Sequence, residues 1–167
     1  MTAPTKRLIT EAPAALLEVC KTMRDWDRRE IYATRWDDDP GALAQDCLRC
    51  AKAGCGWVFF VQGEPVAVVG GHPVYPGVWN MWCFGTDNFR QTGLSLTKHI
   101  KHVIIPDLVE RCRVHRGECR SLEGHIEAHA WLEALGWHRE GLLAAAGRHQ
   151  ENFWQYGWRL RDVLRWW

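Results

Sequence analysis

The spacing of apolar side chains changes twice along the chain, and the first of the three resulting regions is mainly helical. The opening "KRLITEAP" predicts a short strand that ends at Pro13. "DWDRREIYATRW" predicts a helix with Asp25 as its N-cap, and "GALAQDCLRCAKAG" predicts a helix that starts after Pro40 and ends at Gly54. Between the strand and these helices, "AALLEVCKTM" predicts one more helix, since its apolar residues share one face: Leu16, Leu17, Cys20 and Met23.

The middle region has the pattern of β-structure. "WVFFVQGEPVAVVGGHPV" consists of two β-rich runs around Gly63 and Glu64, which predicts a hairpin. "GVWNMWCFGT" predicts a third strand after a turn at Pro76 and Gly77. Residues 93–113 then carry apolar side chains at helical spacing, so we expect a helix there. Pro106 should kink this helix or begin a new, shorter one.

The last region alternates strands and helices. "HRGECRSL" predicts a strand, and "GHIEAHAWLEALG" a helix that ends at Gly136. "WHREGLLAAAG" and "ENFWQYGWRLRDV" predict a closing strand pair with its turn near Gly147. The order of elements favours a mixed α/β (α+β) fold over a doubly wound sheet. The length of 167 residues favours one domain, residues 1–167.

Composition narrows the classes of function. The chain contains 21 Lys and Arg against 20 Asp and Glu, and its net charge of +1 argues against a nucleic-acid-binding surface. The start "MTAPTKRLIT" lacks the apolar core of a signal peptide, and no run approaches the roughly 18 apolar residues of a membrane span. We therefore expect a cytoplasmic protein that binds neither nucleic acid nor membrane.

Neither the cysteines nor the histidines predict a metal site. The seven cysteines follow no regular framework, which favours reduced thiols over disulfides. Cys47, Cys50 and Cys55 form the one cluster, in which Cys47 and Cys50 lie three apart in a helix-like stretch, but a second ligand pair for zinc is missing. His125 and His129 are four residues apart, as two ligands on one helix face would be, yet the pattern nominates no third ligand. We expect no metal.

The segment "RQTGLS", residues 90–95, follows a predicted strand and opens a predicted helix. The free backbone amides of a helix's first turn attract anions, and Gly93 would let a ligand approach the backbone closely. Thr92 or Ser95 would add a hydroxyl group. The same residues also suit an ordinary capped helix, so this segment alone leaves both interpretations open.

A second segment resembles the closing signature of the GNAT (general N-acetyltransferase) superfamily. That signature has an Asn, an Ala three residues later, an apolar residue followed by Tyr, and a Gly followed by an aromatic residue. The matching positions here are His125, Ala128, Trp131, Leu132, Gly136 and Trp137, with "REG" following as in the superfamily. "RQTGLS" stands where the superfamily has its pyrophosphate loop, and the order of elements is similar over nearly the whole chain.

A narrower resemblance concerns "MRDWDRREIYATRW", "FGTD" and "GHIEAHAWLEALG" with its following "REG". These stretches are similar to a GNAT-like internal virion protein family of short-tailed phages. The resemblance implies a phage-encoded protein in the host cytoplasm or in the virion. Its partner would then be a phage structural protein or a second copy of the chain.

The GNAT resemblance implies a mostly antiparallel sheet flanked by helices, with a V-shaped gap between two parallel central strands, "WNMWCFGT" and "HRGECRSL". It implies acetyl-CoA as co-substrate in that gap, an amine of unknown identity as acceptor, and a backbone amide of residues 83–85 polarising the thioester carbonyl. The implied coenzyme A contacts are Cys83, Phe84, Gly85, Arg90, Gln91, Thr92, Gly93, Leu94 and Ser95.

This sequence departs from the superfamily at its catalytic positions. The usual Tyr acid is Leu132, which cannot donate a proton, and the usual Asn is His125. Imidazole titrates in a useful range, so His125 is a candidate substitute for the acid, or otherwise a helix cap or a residue that only supports the site. Glu30 is a candidate carboxylate for the acceptor site, or otherwise a solvated helical charge beside two arginines. Cys83 is a candidate nucleophile or a core residue.

Two hypotheses follow for the function. The first is an acetyl-CoA-dependent N-acyltransferase, which the "RQTGLS" loop favours. The second is a GNAT-shaped phage virion or assembly protein without catalytic activity, which Leu132 and the terminal "RWW" favour. Neighbouring side chains of an extended strand point to opposite sides, so Trp166 and Trp167 cannot both face one side of such a strand. We therefore expect these indoles to form a contact surface.

Overall fold

A computed structural model describes residues 3–164, which are built around one seven-stranded sheet. The strands are Thr5–Leu8 (β1), Cys55–Val61 (β2), Glu64–Tyr75 (β3), Val78–Gly85 (β4), Arg116–Leu122 (β5), His138–Leu143 (β6) and Phe153–Arg159 (β7). Their order is β1-β2-β3-β4-β5-β7-β6, and only β4 and β5 are parallel neighbours among them. The predicted mixed α/β class with a mostly antiparallel sheet is confirmed.

Helices cover both faces of the sheet. They are Pro13–Lys21 (α1), Asp25–Tyr32 (α2), Pro40–Ala53 (α3), Gly93–His99 (α4), Ile105–Cys112 (α5), Ile126–Ala134 (α6) and Leu160–Val163 (α7). Leu16 of α1 and Leu43 of α3 are buried against one face together with Phe84. Leu96 of α4 and Leu132 of α6 are buried against the other. We call these faces the α1–α3 face and the α4–α6 face.

The strands β4 and β5 pair over only a short stretch and then separate. Residues 78–80 of β4 are level with residues 116–118 of β5, and no later residues of the two strands are paired. Both strands continue on their outer sides, since β3 pairs with β4 as far as Gly85 and β7 pairs with β5 as far as Leu122. The expected V-shaped gap between two parallel central strands is therefore present.

Local chemistry accounts for the hairpin between β2 and β3. Gln62 and Gly63 both have positive φ values, 53° and 89°. A two-residue turn with two such residues matches the right-handed twist of the paired strands. The turn therefore brings β2 and β3 into antiparallel register, as the sequence predicts.

The long helix after the gap is interrupted. Between α4 and α5, residues Ile100–Ile104 form a π-helical segment. Pro106 lies in the first turn of α5, where its missing N–H costs least. The wider turn accommodates the proline without ending the helix. The predicted boundary at Pro106 is confirmed as an internal change of helix type.

Three details of the prediction are wrong. The first strand ends at Leu8, since a 3₁₀ turn, Ile9–Glu11, precedes α1. Asp25 is the first residue of α2 and not its N-cap; its carboxylate pairs with Arg28, 2.9 Å away. The closing strand ends at Arg159, whose backbone N–H donates to Asp162 at 2.9 Å and so begins α7.

The C-terminal "RWW" lies outside the described residues, so its predicted contact surface stays a prediction. Within residues 3–164, no helix combines the length and the apolarity needed to cross a membrane. The same part of the chain holds no cluster of three or more side chains arranged to ligate a metal ion. All seven cysteines are free thiols.

Candidate functional site

The main cavity lies in the gap between β4 and β5 and measures about 470 Å³. Because successive side chains of a strand point to opposite faces, the two faces contribute different walls. On the α4–α6 face the wall is apolar and includes Met81 and Leu132. On the α1–α3 face it carries several polar side chains: His72, Asn80, Glu118, Arg120 and Gln155. A smaller cavity of about 240 Å³ adjoins Cys83, Gly93 and His125.

Of the backbone N–H groups of residues 83–85, which the resemblance places at the thioester carbonyl, only some are available. The Gly85 N–H donates to Asp27 Oδ2 at 2.7 Å, and the Gly85 carbonyl accepts from the Arg24 N–H at 2.9 Å. The Thr86 N–H donates to Val66 of β3 at 2.8 Å. Since N–H groups alternate in direction along a strand, the Phe84 amide faces β3 and the Cys83 amide faces the gap.

The Cys83 and Gly85 amides therefore both face the gap side of β4, and the Gly85 amide is already bonded to Asp27. The expectation that Gly85 also contributes is not supported by this geometry, because the α2 segment occupies both its polar groups. The Cys83 side chain packs into the core, and burial raises the pKa of its thiol. A thiol with a raised pKa is a poor nucleophile, so the structure favours the interpretation of Cys83 as a core residue.

The start of α2 closes the far end of the gap. Met23 forms an isolated antiparallel bridge with Thr86, and Asp27 is 3% exposed. Arg24 Nε lies 2.9 Å from Asp27 Oδ2, and the guanidinium group stacks 4.3 Å above the ring of Phe89. Burial raises the pKa of Asp27, and the neighbouring Arg24 partly opposes that effect. A buried ion pair thus fixes α2 against the edge of β4.

Glu30 and His125, which the sequence nominates separately, are in contact. His125 Nδ1 lies 3.0 Å from Glu30 Oε2, and Glu30 also accepts from the Leu122 N–H at 2.7 Å and the Ser121 hydroxyl at 3.0 Å. Glu30 is thus a largely buried acceptor and not a solvated helical charge. The carboxylate places the proton of a neutral imidazole on Nδ1, which leaves the lone pair on Nε2.

The second nitrogen of His125 points toward the smaller cavity's acidic wall. His125 Nε2 is buried and has no hydrogen-bond partner among the described residues; Asp27 Oδ1 lies 3.8 Å from it. The ring is stacked on Trp26, with 5.6 Å between the ring centres. His125 occupies the N-cap position of α6, but its side chain makes no capping bond. The contacts with Glu30 and Trp26, and not a capping bond, therefore hold this side chain in place.

The "RQTGLS" loop presents free backbone amides, and of its two small hydroxyl residues only Ser95 is partly exposed. The first intrahelical bond of α4 runs from the Leu96 N–H to the Thr92 carbonyl, so the amides of residues 93–95 have no partner within the helix. Thr92 is fully buried, and its hydroxyl donates to the Phe89 carbonyl at 2.7 Å. A Cβ atom added to Gly93 would meet nothing within 4 Å. Leu94 is exposed, and Ser95 is partly so.

The two long polar side chains of this loop have partners of their own. Arg90 forms an ion pair with Glu127 of α6, and both side chains are exposed. Gln91 Nε2 donates to Asn88 Oδ1 at 3.0 Å. An anion at this loop would compete with Glu127 for Arg90, and exposure makes that ion pair weak enough to exchange.

Sequence reasoning missed the α2 contacts with β4. Asp27 and Glu30 are three residues apart and therefore lie on one face of a helix, which was a signal that two carboxylates act together. Nothing in the sequence indicated that this face would meet Gly85 and His125. The sequence also did not single out His72, Trp82 and Trp137, each of which has a buried ring nitrogen without a partner at the main cavity.

Comparison with known proteins identifies the fold. No family model and no curated sequence matches the chain. Among solved structures, the ribosomal L7/L12 α-N-protein acetyltransferase RimL in complex with coenzyme A aligns with a TM-score of 0.73 at 13% identity, covering 97% of each chain. AAC(6')-Ib in complex with ribostamycin and coenzyme A aligns with a TM-score of 0.70 at 14% identity, covering 98% of this chain and 97% of that one.

A ribosomal-protein-S5-alanine acetyltransferase from Vibrio fischeri gives a similar result, with a TM-score of 0.70 at 13% identity over 98% of this chain and 96% of that one. A GNAT-family acetyltransferase from Bacillus anthracis also aligns, with a TM-score of 0.69 at 11% identity. These similarities establish a GNAT-type fold. At such low identity they do not extend to the reaction or the substrate, which depend on the residues of this chain.

Proposed function

We propose that this protein is an N-acyltransferase that moves the acetyl group of acetyl-CoA to an amine. The observation that carries the proposal is the gap between β4 and β5, in which a strand amide, a buried His–Glu pair and a helix N-terminus meet around connected cavities. The similar structures with coenzyme A bound, RimL and AAC(6')-Ib, support the choice of co-substrate.

The chemical groups at the gap suit the successive parts of coenzyme A. The free amides of residues 93–95 and the open space over Gly93 suit a pyrophosphate group, with Arg90 as a charged contact once Glu127 is displaced. The Cys83 amide suits the thioester carbonyl, and the apolar α4–α6 wall suits the aliphatic arm. Acetyl-CoA supplies a thioester, whose C–S bond is broken as the amine nitrogen bonds to the carbonyl carbon.

Proton transfer would fall to His125, oriented by Glu30. Leu132 is buried at the cavity wall and has no acidic proton to donate, so the usual Tyr acid has no equivalent at that position. His125 is held through Nδ1 and keeps Nε2 unpartnered, which is the arrangement of a histidine that takes and returns a proton. Glu30 would fix the tautomer and the orientation of the ring.

The second candidate is a GNAT-shaped protein of a phage virion or assembly that does not catalyse transfer. The observation in its favour is Leu132, since the acid position has been replaced by a side chain that can only pack. The narrower resemblance to a phage protein family points the same way. Binding of acetyl-CoA without transfer to any amine would favour this candidate.

Calorimetric titration of the purified protein with acetyl-CoA, coenzyme A and ATP tests the proposal without knowledge of the acceptor. We expect saturable binding of acetyl-CoA and coenzyme A at one site per chain, in the micromolar range, which corresponds to about −8 kcal/mol. ATP carries phosphates without a pantetheine arm and should bind at least roughly tenfold more weakly. Absence of acetyl-CoA binding by a folded protein would overturn the proposal.

A further inference from the structure

The charged side chains that line the main cavity differ in whether they have hydrogen-bond or ion-pair partners. Three such residues line it: Glu30, Glu118 and Arg120. Glu30 accepts hydrogen bonds from Ser121, Leu122 and His125, as described above. The Arg120 side chain is exposed and forms no hydrogen bond and no ion pair with any of residues 3–164. The rim of the cavity therefore carries an exposed cation without a counter-charge among the described residues.

Glu118 does not supply that counter-charge. Its carboxylate lies 3.3 Å from Arg116 Nε, and Arg116 also binds Glu140 through both terminal nitrogens of the guanidinium group. The hydrogen bonds to Glu140, with a smaller contribution from Glu118, raise the pKa of Arg116 against the opposing effect of burial. Glu118 lies two residues nearer the paired end of β4 and β5 than Arg120 does. The anion that Arg120 can bind must come from outside this network.

The register of the sheet places Arg120 at the opening of the gap. Asn80 of β4 is level with Glu118 of β5, so two residues further on, Trp82 and Arg120 stand on either side of the separating strands. Arg120 is directly opposite Gln155 of β7. Trp82 packs on the α1–α3 face, and the parity of the strands puts Arg120 and Gln155 on that face too.

Trp82, Arg120 and Gln155 lie on the face of the sheet opposite the "RQTGLS" loop. The helix that begins at Gly93 packs on the α4–α6 face, whereas Arg120 belongs to the α1–α3 face. The phosphates of coenzyme A are therefore not the expected partner of Arg120. A molecule that enters from the α1–α3 face would meet Arg120 and Gln155 before it reached the Cys83 amide.

We propose that Arg120 and Gln155 bind the carboxylate of the acceptor, which is an amino acid with an apolar side chain. An Arg guanidinium group pairs well with a carboxylate, and an amide N–H adds a neutral hydrogen bond. Gln155 is available, since its Nε2 has only a long 3.3 Å contact with a backbone carbonyl. This inference rests on the proposed transfer to an amine and adds the chemical class of the acceptor.

The rest of the α1–α3 half of the cavity fits an apolar side chain. Ile31, Val74, Trp82 and Phe153 line it beside Arg120. The whole cavity of about 470 Å³ lies within the size range of small-molecule sites, and the acyl-carrying arm has to share it. A polycationic acceptor fits poorly, because Glu30 and Glu118 are already paired and Arg120 would repel it.

Matched acceptors that differ only in the carboxylate test the proposal. L-Phenylalanine and phenethylamine form one pair, and L-leucine and isopentylamine another. Acetyl-CoA is supplied at saturation, and release of the coenzyme A thiol is followed with a thiol reagent at one pH. We expect the wild-type protein to use each amino acid with a kcat/KM at least about tenfold above that of its decarboxylated partner.

The variant Arg120→Gln should lower that ratio by about tenfold or more, and Arg120→Lys should give an intermediate ratio. Comparing ratios between proteins cancels the different basicities of the amines. Lys52→Gln, an exposed position on α3, is the control and should leave the ratio unchanged. Acetyl-CoA affinity by calorimetry should be equal in all four proteins.

Three results would overturn the inference. They are a wild-type preference for the decarboxylated amines, an unchanged ratio in folded Arg120→Gln, and no thiol release with either pair by a protein that binds acetyl-CoA. A wild-type protein that fails to bind acetyl-CoA would instead overturn the proposed function. The two failures are therefore distinguishable.

Discussion

At the scale of single residues, Leu132 gives a direct test of the proposed transfer. It is buried at the cavity wall, at the position where the superfamily resemblance implies a Tyr acid. Leu132→Tyr adds a phenol there, and Leu132→Phe adds the same ring without the hydroxyl group. We expect the Tyr variant to exceed the Phe variant in kcat by about tenfold or more, because a positioned acid is commonly worth a hundredfold. Equal kcat values would show that the leaving thiolate needs no acid at this position.

His125 provides a second residue-scale prediction. Removal of the imidazole in His125→Gln should lower kcat by about a hundredfold or more, because proton transfer by a positioned side chain contributes roughly that much. Acetyl-CoA affinity should change little, since His125 contacts Glu30 and Trp26 and not the amides of residues 93–95. The pH dependence of kcat should flatten in the variant. A variant with the wild-type pH profile would reduce His125 to a structural residue.

Gly93 separates a phosphate-binding loop from an ordinary helix start. A Cβ atom at this position meets nothing within 4 Å, so Gly93→Val should fold normally while its side chain covers the amides of the first turn. We expect coenzyme A affinity to fall at least about tenfold, or roughly 1.4 kcal/mol. Gly141→Val is the matched control, because its added side chain also meets open space, on β6 and away from the loop. Equal affinity in the two variants would contradict the assignment.

At the scale of elements, the contact between α2 and β4 is the least expected feature and invites a direct test. In Asp27→Asn the amide oxygen still accepts from the Gly85 N–H, but the charge beside Arg24 and His125 is gone. In Asp27→Ala both the contact and the charge are lost. Breaking a buried ion pair costs about 3–5 kcal/mol, so Asp27→Ala should melt well below the wild type.

The two variants distinguish a structural role from a chemical one. Asp27→Asn should melt closer to the wild type than Asp27→Ala does, and its kcat should show a changed pH dependence because His125 loses a neighbouring charge. Differential scanning calorimetry and a pH–rate series measure the two effects. An Asp27→Ala protein with wild-type stability would show that the α2 segment does not fix the edge of β4.

Elements with local chemical signals were predictable, whereas contacts between distant elements were not. Gln62 and Gly63 lie in a turn whose φ values only a few residue types adopt, and Pro40 and Gly54 bound a helix by their own backbone preferences. The gap followed from the resemblance and not from the pattern, since no spacing rule separates β4 from β5. The contact of Glu30 with His125 spans 95 positions, and only the fold brings them together.

The same limit explains the errors at the edges of elements. Arg159 begins α7 because Asp162 caps it, yet the residues of this short turn read equally well as the end of a strand. The resemblance implies a backbone amide anywhere in residues 83–85, and only the position of Asp27 shows that the Gly85 amide already has a partner. Side-chain partners from another helix decide which backbone groups stay free.

At the scale of the whole molecule, the core on the α4–α6 face contains a histidine without partners. His99 is 4% exposed, and neither ring nitrogen has a hydrogen-bond partner among the described residues. Its ring meets Trp57 and Phe59 edge-on, at 4.9 and 5.6 Å between ring centres. Burial lowers the pKa of His99 from 6.5 to about 4. The folded protein therefore keeps this imidazole neutral where the unfolded chain protonates it.

This difference makes global stability depend on pH in a definite direction. Between pH 6.5 and pH 4 the unfolded chain binds a proton at His99 that the folded chain does not, so the free energy of unfolding should fall as the pH is lowered. Above pH 6.5 both states are neutral at this position, and its contribution is constant. The loss from His99 should reach roughly 1–3 kcal/mol, at about 2–4 °C of Tm per kcal/mol.

His99→Phe keeps an aromatic ring against Trp57 and removes the titrating group, so it isolates this contribution. Thermal unfolding of both proteins at a series of pH values should show a shallower fall in Tm for the variant between pH 6.5 and pH 4. The fall should not vanish, because burial also lowers the pKa values of His72 and His129. His149→Gln, at an exposed histidine, should reproduce the wild-type curve. Parallel curves for wild type and His99→Phe would mean that folding does not lower the pKa of His99, and that acid unfolding begins elsewhere in the molecule.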